Sequence, residues 1–285
     1  MGLHVAIPDT SLVDCSDLRQ KTVKSGILAR AMAVFRVERV IVYETGNLHS
    51  KTKRDSDLLV RLLEFMDTPQ YLRRRVFPKT PSLKFTGLLP PLRTRSHPLD
   101  TEPSELSVGM TRWGVQVRLG KVDIGVGELI DHSKALSERS PTLLRIIETT
   151  PKIRVEPINR SEIERYWGFD VERTTSLADR LSDSAHMTRI VFSRKAPSYN
   201  RLENEIVSTV ANTGSILAVF GGPMHGVAEL LSNEKDAIKK NSDFWVNTIL
   251  GQGTETVRLE EAIIASLALI NKSVGTIIAR PGFHD

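Results

Sequence analysis

Short apolar runs alternate along the chain with longer stretches of helical period. Residues 3–7, 39–43, 189–192, 216–220 and 245–250 show little polar alternation, the pattern of strands covered on both faces. Helical repeats lie between them. Residues 22–35 bring Val23, Ile27, Ala31 and Val34 to one face, and residues 55–66 group Leu58 or Leu59 with Leu62, Leu63 and Met66. Residues 203–213 run into Gly214, a helix-ending glycine, and residues 257–271 repeat Leu259, Ile263, Leu267 and Ile270. Strand followed by helix, repeated, predicts an α/β fold of parallel strands joined by helical crossovers.

The middle of the chain breaks this rhythm. Residues 81–165 hold most of the prolines and glycine-punctuated strand-like pieces at 115–119 and 122–126. Leu88-Leu89-Pro90-Pro91-Leu92 and Thr149-Thr150-Pro151 read as linker punctuation, with a short amphipathic stretch at 141–147 between them. The expected organisation is an α/β domain in two halves, 1–80 and 166–285, with a small β-rich domain at 81–165 inserted.

Composition narrows the class. A chain of 285 residues with 40% hydrophobic and 26% charged side chains is globular in type, neither disordered nor fibrous. Cys15 is the lone cysteine, and no Cys/His cluster has zinc-ligand spacing, which predicts a reducing, cytoplasmic setting and no metal. The N-terminal residues lack a basic region followed by a long apolar stretch, and no run of about 18 apolar residues occurs, so neither an export signal nor a membrane span is expected. Net charge is a modest +5, but basic residues bunch at Lys51-Thr52-Lys53-Arg54, Arg73-Arg74-Arg75 and Arg93-Thr94-Arg95-Ser96-His97. Each bunch is either a phosphate-binding point or a solvated face.

Ligands of an open parallel sheet bind in the loops leaving the C-terminal ends of its strands. Two such loops are rich in glycine: Gly221-Gly222-Pro223-Met224-His225-Gly226 and Gly251-Gln252-Gly253-Thr254-Glu255-Thr256. Without a Cβ, backbone amides and carbonyls can approach a ligand closely, as reading an adenine by main-chain hydrogen bonds requires; tight turns are the alternative. A dinucleotide fingerprint fails because Thr256 occupies its third glycine position and too little chain follows. No Walker A sequence and no Gly-x-Ser-x-Gly elbow occurs, and Cys15 has no identifiable partner base. His225 is either a catalytic or substrate-contacting group or a solvated one.

The closing run from Asn247 to Ala262, with Thr22-Val23-Lys24-Ser25-Gly26-Ile27-Leu28-Ala29-Arg30-Ala31, Leu89-Pro90-Pro91-Leu92-Arg93 and Phe192-Ser193-Arg194-Lys195, resembles the SPOUT (α/β-knot) methyltransferases over nearly the whole chain. The branch it resembles comprises archaeal and eukaryotic RNA methyltransferases with an OB-like barrel inserted in the knot domain. The resemblance implies a trefoil-knotted parallel sheet flanked by helices, S-adenosyl-L-methionine (SAM) as cofactor, RNA as substrate, ribosomal RNA above all, and a homodimer, for which the apolar circumference of helix 257–271 offers surface. It implies further that Gly221, Gly222 and Pro223 form one wall of the cofactor site. Asn247, Thr248, Ile249, Leu250, Gly251, Gln252, Gly253, Thr256 and Val257 would supply contacts around adenine and the methionine part, and Arg194 a polar contact. With uridine N3 as acceptor, a guanidinium favouring the anionic base is expected, and Arg30 is the candidate for this catalytic role, with a phosphate or surface arginine as the alternative. The inserted barrel would hold RNA through Arg93, Arg95, His97, Arg112 and Trp113, unless Trp113 is a core residue. Two other functions stay open: a methyltransferase acting on a ribosomal-protein arginine, and a non-catalytic RNA-binding assembly factor.

Overall fold

The computed structural model of the protein describes residues 2–46, 50–99, 102–138, 140–278 and 280–282; the extreme ends of the expected halves 1–80 and 166–285 lie outside them. From the N-terminus run β1 (Gly2–Pro8), α1 (Leu18–Val34), β2 (Val37–Tyr43), α2 (Ser50–Asp67) and a short α3 (Gln70–Val76). An antiparallel set follows: β3 (Thr111–Arg118), β4 (Lys121–Asp123), β5 (Leu129–Asp131), β6 (Thr142–Glu148) and β7 (Arg154–Pro157). Alternation then resumes with β8 (Asp170–Thr174), α4 (Leu177–Asp183), β9 (Thr188–Phe192), α5 (Tyr199–Thr213), β10 (Ser215–Val219), α6 (Val227–Leu230), α7 (Lys235–Lys240), β11 (Phe244–Val246) and α8 (Leu259–Ile278).

Six strands form one wholly parallel sheet in the order β11-β9-β10-β1-β2-β8. Its continuous apolar runs are explained by burial of alternate residues on opposite faces. Val5, Ile7, Val40, Val42, Ile216 and Ala218 pack beneath α1, α2, α5 and α8, whereas Ala6, Ile41, Leu217 and Val219 meet Leu177, Leu181, Val227 and Ile238 of the short helices on the other side. By length and composition α8 alone among the described helices is apolar enough to cross a membrane. Here it packs against α1, α5 and β10, with Leu259, Ile263, Leu267 and Ile270 fully buried.

Several elements depart from the sequence expectation. β8, with the sequence Asp-Val-Glu-Arg-Thr, has no apolar run; it is an edge strand beside β2, held by charge, with Glu172 3.3 Å from Arg39 and 2.7 Å from Arg180. Of the apolar face expected on α1 only Ala31 is buried: Val23 is 40%, Ile27 38% and Val34 57% exposed, while Thr22, Ser25, Leu28, Ala29 and Met32 turn inward. Lys21 and Lys24 share the inner side through ion pairs, Lys21 to Asp55 at 2.6 Å and Lys24 to Asp14 at 2.7 Å and Glu260 at 3.1 Å. β11 stops at Val246 rather than residue 250 because Asn247 turns the chain, its Oδ1 accepting from the Ile249 amide. Residues 141–147 fall largely within strand β6, and Thr149-Thr150-Pro151 is the turn into β7 rather than a linker.

The antiparallel sheet runs β5-β4-β3-β6-β7. β3 divides its pairing, its first half with β6 and its second half with β4, and Gly114 stands at the changeover, where a Cβ would lie 2.5 Å from Leu144 Cδ1. Among the described residues no pairing joins β5 to β7, so the expected barrel is an open sheet, curled over its own core of Val122, Ile124, Val126, Ile130, Leu144 and Ile146. α3 is the clasp between the two sheets. Tyr71 Oη donates to the Trp113 carbonyl at 2.8 Å, and the Tyr71 ring lies over Gly125, whose φ of +83° and missing Cβ permit the contact. Before β3 the chain crosses α1, where Pro90 packs on Gly26 and Arg30 Nη1 donates to the Leu92 carbonyl at 2.7 Å.

Candidate functional site

The parallel register aligns the C-terminal ends of β9, β10 and β11, and three loops leave there side by side. Phe192 and Phe220, ending or following neighbouring strands, stack with ring centroids 4.6 Å apart and floor the space between the loops. The loop after β10 folds on itself, the Gly222 amide donating to the His225 carbonyl at 2.8 Å. Gly221 admits no side chain there, since a Cβ would lie 2.8 Å from Gly226 Cα. The loop after β11 is laced to the loop after β9: Asn247 donates from its amide to Pro197 O, and its own carbonyl accepts from Tyr199 N, both at 2.8 Å. Arg194 Nη1 reaches the Glu255 carbonyl at 3.1 Å, and Thr248 Oγ1 lies 2.7 Å from Ser266 Oγ on α8.

These loops enclose a cavity of about 520 Å³. Of the residues expected there, Arg194, Gly221, Gly222, Pro223, Asn247, Thr248, Ile249, Gln252, Thr256 and Val257 line it, along with His225. Leu250, Gly251 and Gly253 do not. Leu250 is 57% exposed, Gly251 makes the turn with φ +59°, and a Cβ at Gly253 would meet nothing within 4 Å. Sequence reasoning missed Phe192, Phe220, Lys195, Lys235, Lys239 and Trp245, which complete the walls. The Lys235/Lys239 spacing of one helical turn was a usable signal; that α7 faces the cavity was not. Lys195 Nζ lies 2.6 Å from Glu229 at the rim, and its hydrogen bond, with one from the Gly226 amide, holds the Glu229 carboxyl below its usual range. Apolar rings and side chains below, backbone groups on two sides and ammonium groups at the rim give a slot suited to a nucleoside with a charged tail.

The remaining expected residues lie elsewhere. Arg30 is outside this cavity and is tied to the Pro91 and Leu92 carbonyls on α1's outer side. Arg93 is exposed, with φ +54°, and Arg95 is partly buried. Two residues expected to contact RNA do not fit that part. Arg112 is 2% exposed and hydrogen-bonded to Tyr71, a buried tie between α3 and β3. His97 accepts at Nδ1 from Thr94 Oγ1 and donates from Nε2 to the Met66 carbonyl, and burial, helped by the Arg73 charge, lowers its pKa to about 4, leaving it neutral. Trp113 is partly buried and lines a second cavity against α2. Among the described residues no group of His, Cys, Asp and Glu could hold a metal ion.

The sequence itself is similar to those of known proteins. The model of a family described as "Putative RNA methyltransferase" matches residues 2–270. An uncharacterized protein of Halobacterium salinarum is 30% identical over 94% of this chain and 98% of its own length. The 28S rRNA (uridine-N(3))-methyltransferase of Mus musculus is 26% identical over 98% of this chain and 78% of its own. The protein of the same description from Homo sapiens is 27% identical over 94% of this chain and 77% of its own.

Proposed function

From the premise that this chain belongs to that RNA methyltransferase family, we propose that it transfers the methyl group of SAM to ribosomal RNA, with uridine N3 as the acceptor. The observation that carries the reading is the cavity of about 520 Å³ framed by the loops after β9, β10 and β11. The cavity fits SAM by its chemistry. Ile249, Val257 and Leu259 offer apolar faces for adenine, the 247–256 loop offers main-chain donors and acceptors, and Gly221 and Gly222 leave room for close backbone approach. SAM supplies an electrophilic methyl on a sulfonium. The protein's own part is alignment and control of charge: the laced loops fix the cofactor slot, and Arg194, Lys195 and Lys239 make its mouth cationic, favouring the anionic form of a base nitrogen brought there.

Residues 1–80 and 166–285 form the knot domain in this reading, with 81–165 inserted as an OB-like, RNA-binding domain. In this reading the chain after β11 is threaded. Residues 247–255 are bonded to the loop after β9, at Pro197, Tyr199 and Arg194, before α8 returns to pack on α1 and α5. Threading of this kind is rare and holds a loop where unconstrained chain would fray. The homodimer is read from α1: Val23, Ile27 and Val34 make an exposed apolar stripe, and Arg30 lies in its middle by helical spacing. The catalytic role proposed for Arg30, whose guanidinium is held by the Pro91 and Leu92 carbonyls outside the cofactor cavity, depends on such an association.

The test is to incubate the protein and tritiated SAM with ribosomal RNA and ribosomal proteins from a strain lacking it. Label in RNA, released on digestion as N3-methyluridine, is the expected result. Label in protein would replace the RNA reading with protein methylation, and absence of SAM binding by calorimetry would leave a non-catalytic assembly factor.

A further inference from the structure

A second cavity, of about 590 Å³, opens at the other edge of the parallel sheet, in the seam between α2, the start of β8 and the antiparallel sheet. Val60, Pro69, Phe77, Pro141 and Phe169 make its walls apolar, and the Phe77 ring is braced edge-on by Phe65 at 5.3 Å. Trp113 enters from β3, and its indole Nε1–H is buried without a hydrogen-bond partner. Buried donors are rarely left so, and a small rotation of the ring would offer this one to a guest bearing a carbonyl or ring nitrogen.

The charges lining the cavity are largely balanced within the fold. Asp57 pairs with Arg173 at 2.7 Å, Asp170 with Arg160 at 2.6 Å, and Asp67 accepts from the Phe169 amide at 2.8 Å. Glu64 stands exposed at the rim in the field of Arg173 and Arg61. What the seam offers is an unpaired donor just behind its wall and a carboxylate acceptor at its mouth, set between apolar faces. That is the complement of a planar heterocycle carrying both acceptor and donor edges, and it suits neither a bare phosphate nor a lone cation.

We propose that this seam is a nucleobase-binding subsite, which captures an unpaired base of the substrate RNA against Trp113 and Phe77. The inference rests on the RNA reading given above. β8 and β11 lie five strand spacings of about 4.8 Å apart, so the captured base is remote from the reacting one and sets the register of the RNA across the protein.

Full-length protein cross-linked by light to a ribosomal RNA fragment carrying 4-thiouridine tests this, with adducts mapped by mass spectrometry. Adducts on Trp113 or Phe77 are expected, competed by unmodified RNA. Trp113→Phe and the exposed Glu64→Gln should each weaken RNA binding by roughly five- to tenfold while leaving SAM affinity unchanged. If RNA binds, adducts lie elsewhere and Glu64→Gln binds RNA like wild type, the subsite is overturned and the RNA reading survives. If RNA does not bind at all, both fall. Cross-links at the seam to a ribosomal protein instead of RNA overturn the subsite in favour of a peptide guest.

Discussion

The side-chain amide of Asn247 donates to the backbone carbonyl of Arg194 at 2.9 Å, while the Arg194 guanidinium donates to the carbonyl of Glu255 at 3.1 Å. These two residues fasten both ends of the 247–256 loop to the loop after β9. Asn247→Ala removes the first tie and the turn that its Oδ1 makes with the Ile249 amide. We expect SAM affinity to fall about tenfold by calorimetric titration, with a stability loss of only about 1 kcal/mol because neither bond is fully buried.

Glycines of the two loops differ in what they permit. Gly221→Ala would put a methyl 2.8 Å from Gly226 Cα and 2.9 Å from the His225 carbonyl, both backbone atoms that cannot yield cheaply. Gly253→Ala meets nothing within 4 Å. The first should abolish detectable SAM binding and lower the melting temperature; the second should bind SAM within about twofold of wild type, a gap of some 0.4 kcal/mol.

Lys24 is buried between Asp14 and Glu260, joining the loop after β1 to the start of α8. Lys24→Met leaves the Glu260 carboxylate, itself 8% exposed, without its cation, and should cost about 3–5 kcal/mol in urea unfolding. The rim pair of Lys195 and Glu229 is water-exposed, so Lys195→Met should change stability by no more than about 1 kcal/mol.

Two groups flanking the α2–α3 junction tilt stability with pH in opposite directions. Burial and the Arg73 charge lower His97 from 6.5 to about 4, so the unfolded chain binds the extra proton first, and stability is lost as pH falls from 6.5 toward 4. Burial raises Asp67 from 3.8 to about 7 against the pull of Arg160, so the folded state keeps the proton and stability is lost as pH rises from 3.8 to 7. In urea titrations between pH 4.5 and 7, Asp67→Asn should make stability climb more steeply with pH, and His97→Gln should make it climb less. Parallel slopes in both variants and wild type would refute these assignments.

Ile27 is 38% exposed in the middle of α1's outer stripe. On the proposed homodimer through this stripe, the protein should sediment as a dimer, and Ile27→Glu should give monomers and suppress methyl transfer while SAM binding persists. A dimer that withstands this change would place the interface elsewhere.

Local pattern was enough to find the strands at 3–7, 39–43, 189–192 and 216–220, because a strand buried on both faces writes its apolar character into consecutive residues. Glycine loops at 221–226 and 251–256 were readable for a related reason, since a missing Cβ is a property of the residue itself. What pattern missed depends on partners distant along the chain. β8 is strand only because β2 lies beside it and Arg39 and Arg180 meet its Glu172. α1 carries apolar residues on both sides, and the inner side is chosen by Asp55, Asp14 and Glu260, which accept its lysines. Arg112 and His97 look like surface cations in one dimension, yet packing of α3 against β3 and of Thr94 and Met66 around the imidazole takes them out of water. Periodicity records which residues avoid water within one element; which charges are neutralised, and which half of a loop faces a cavity, is set by contacts that exist only once the elements have packed.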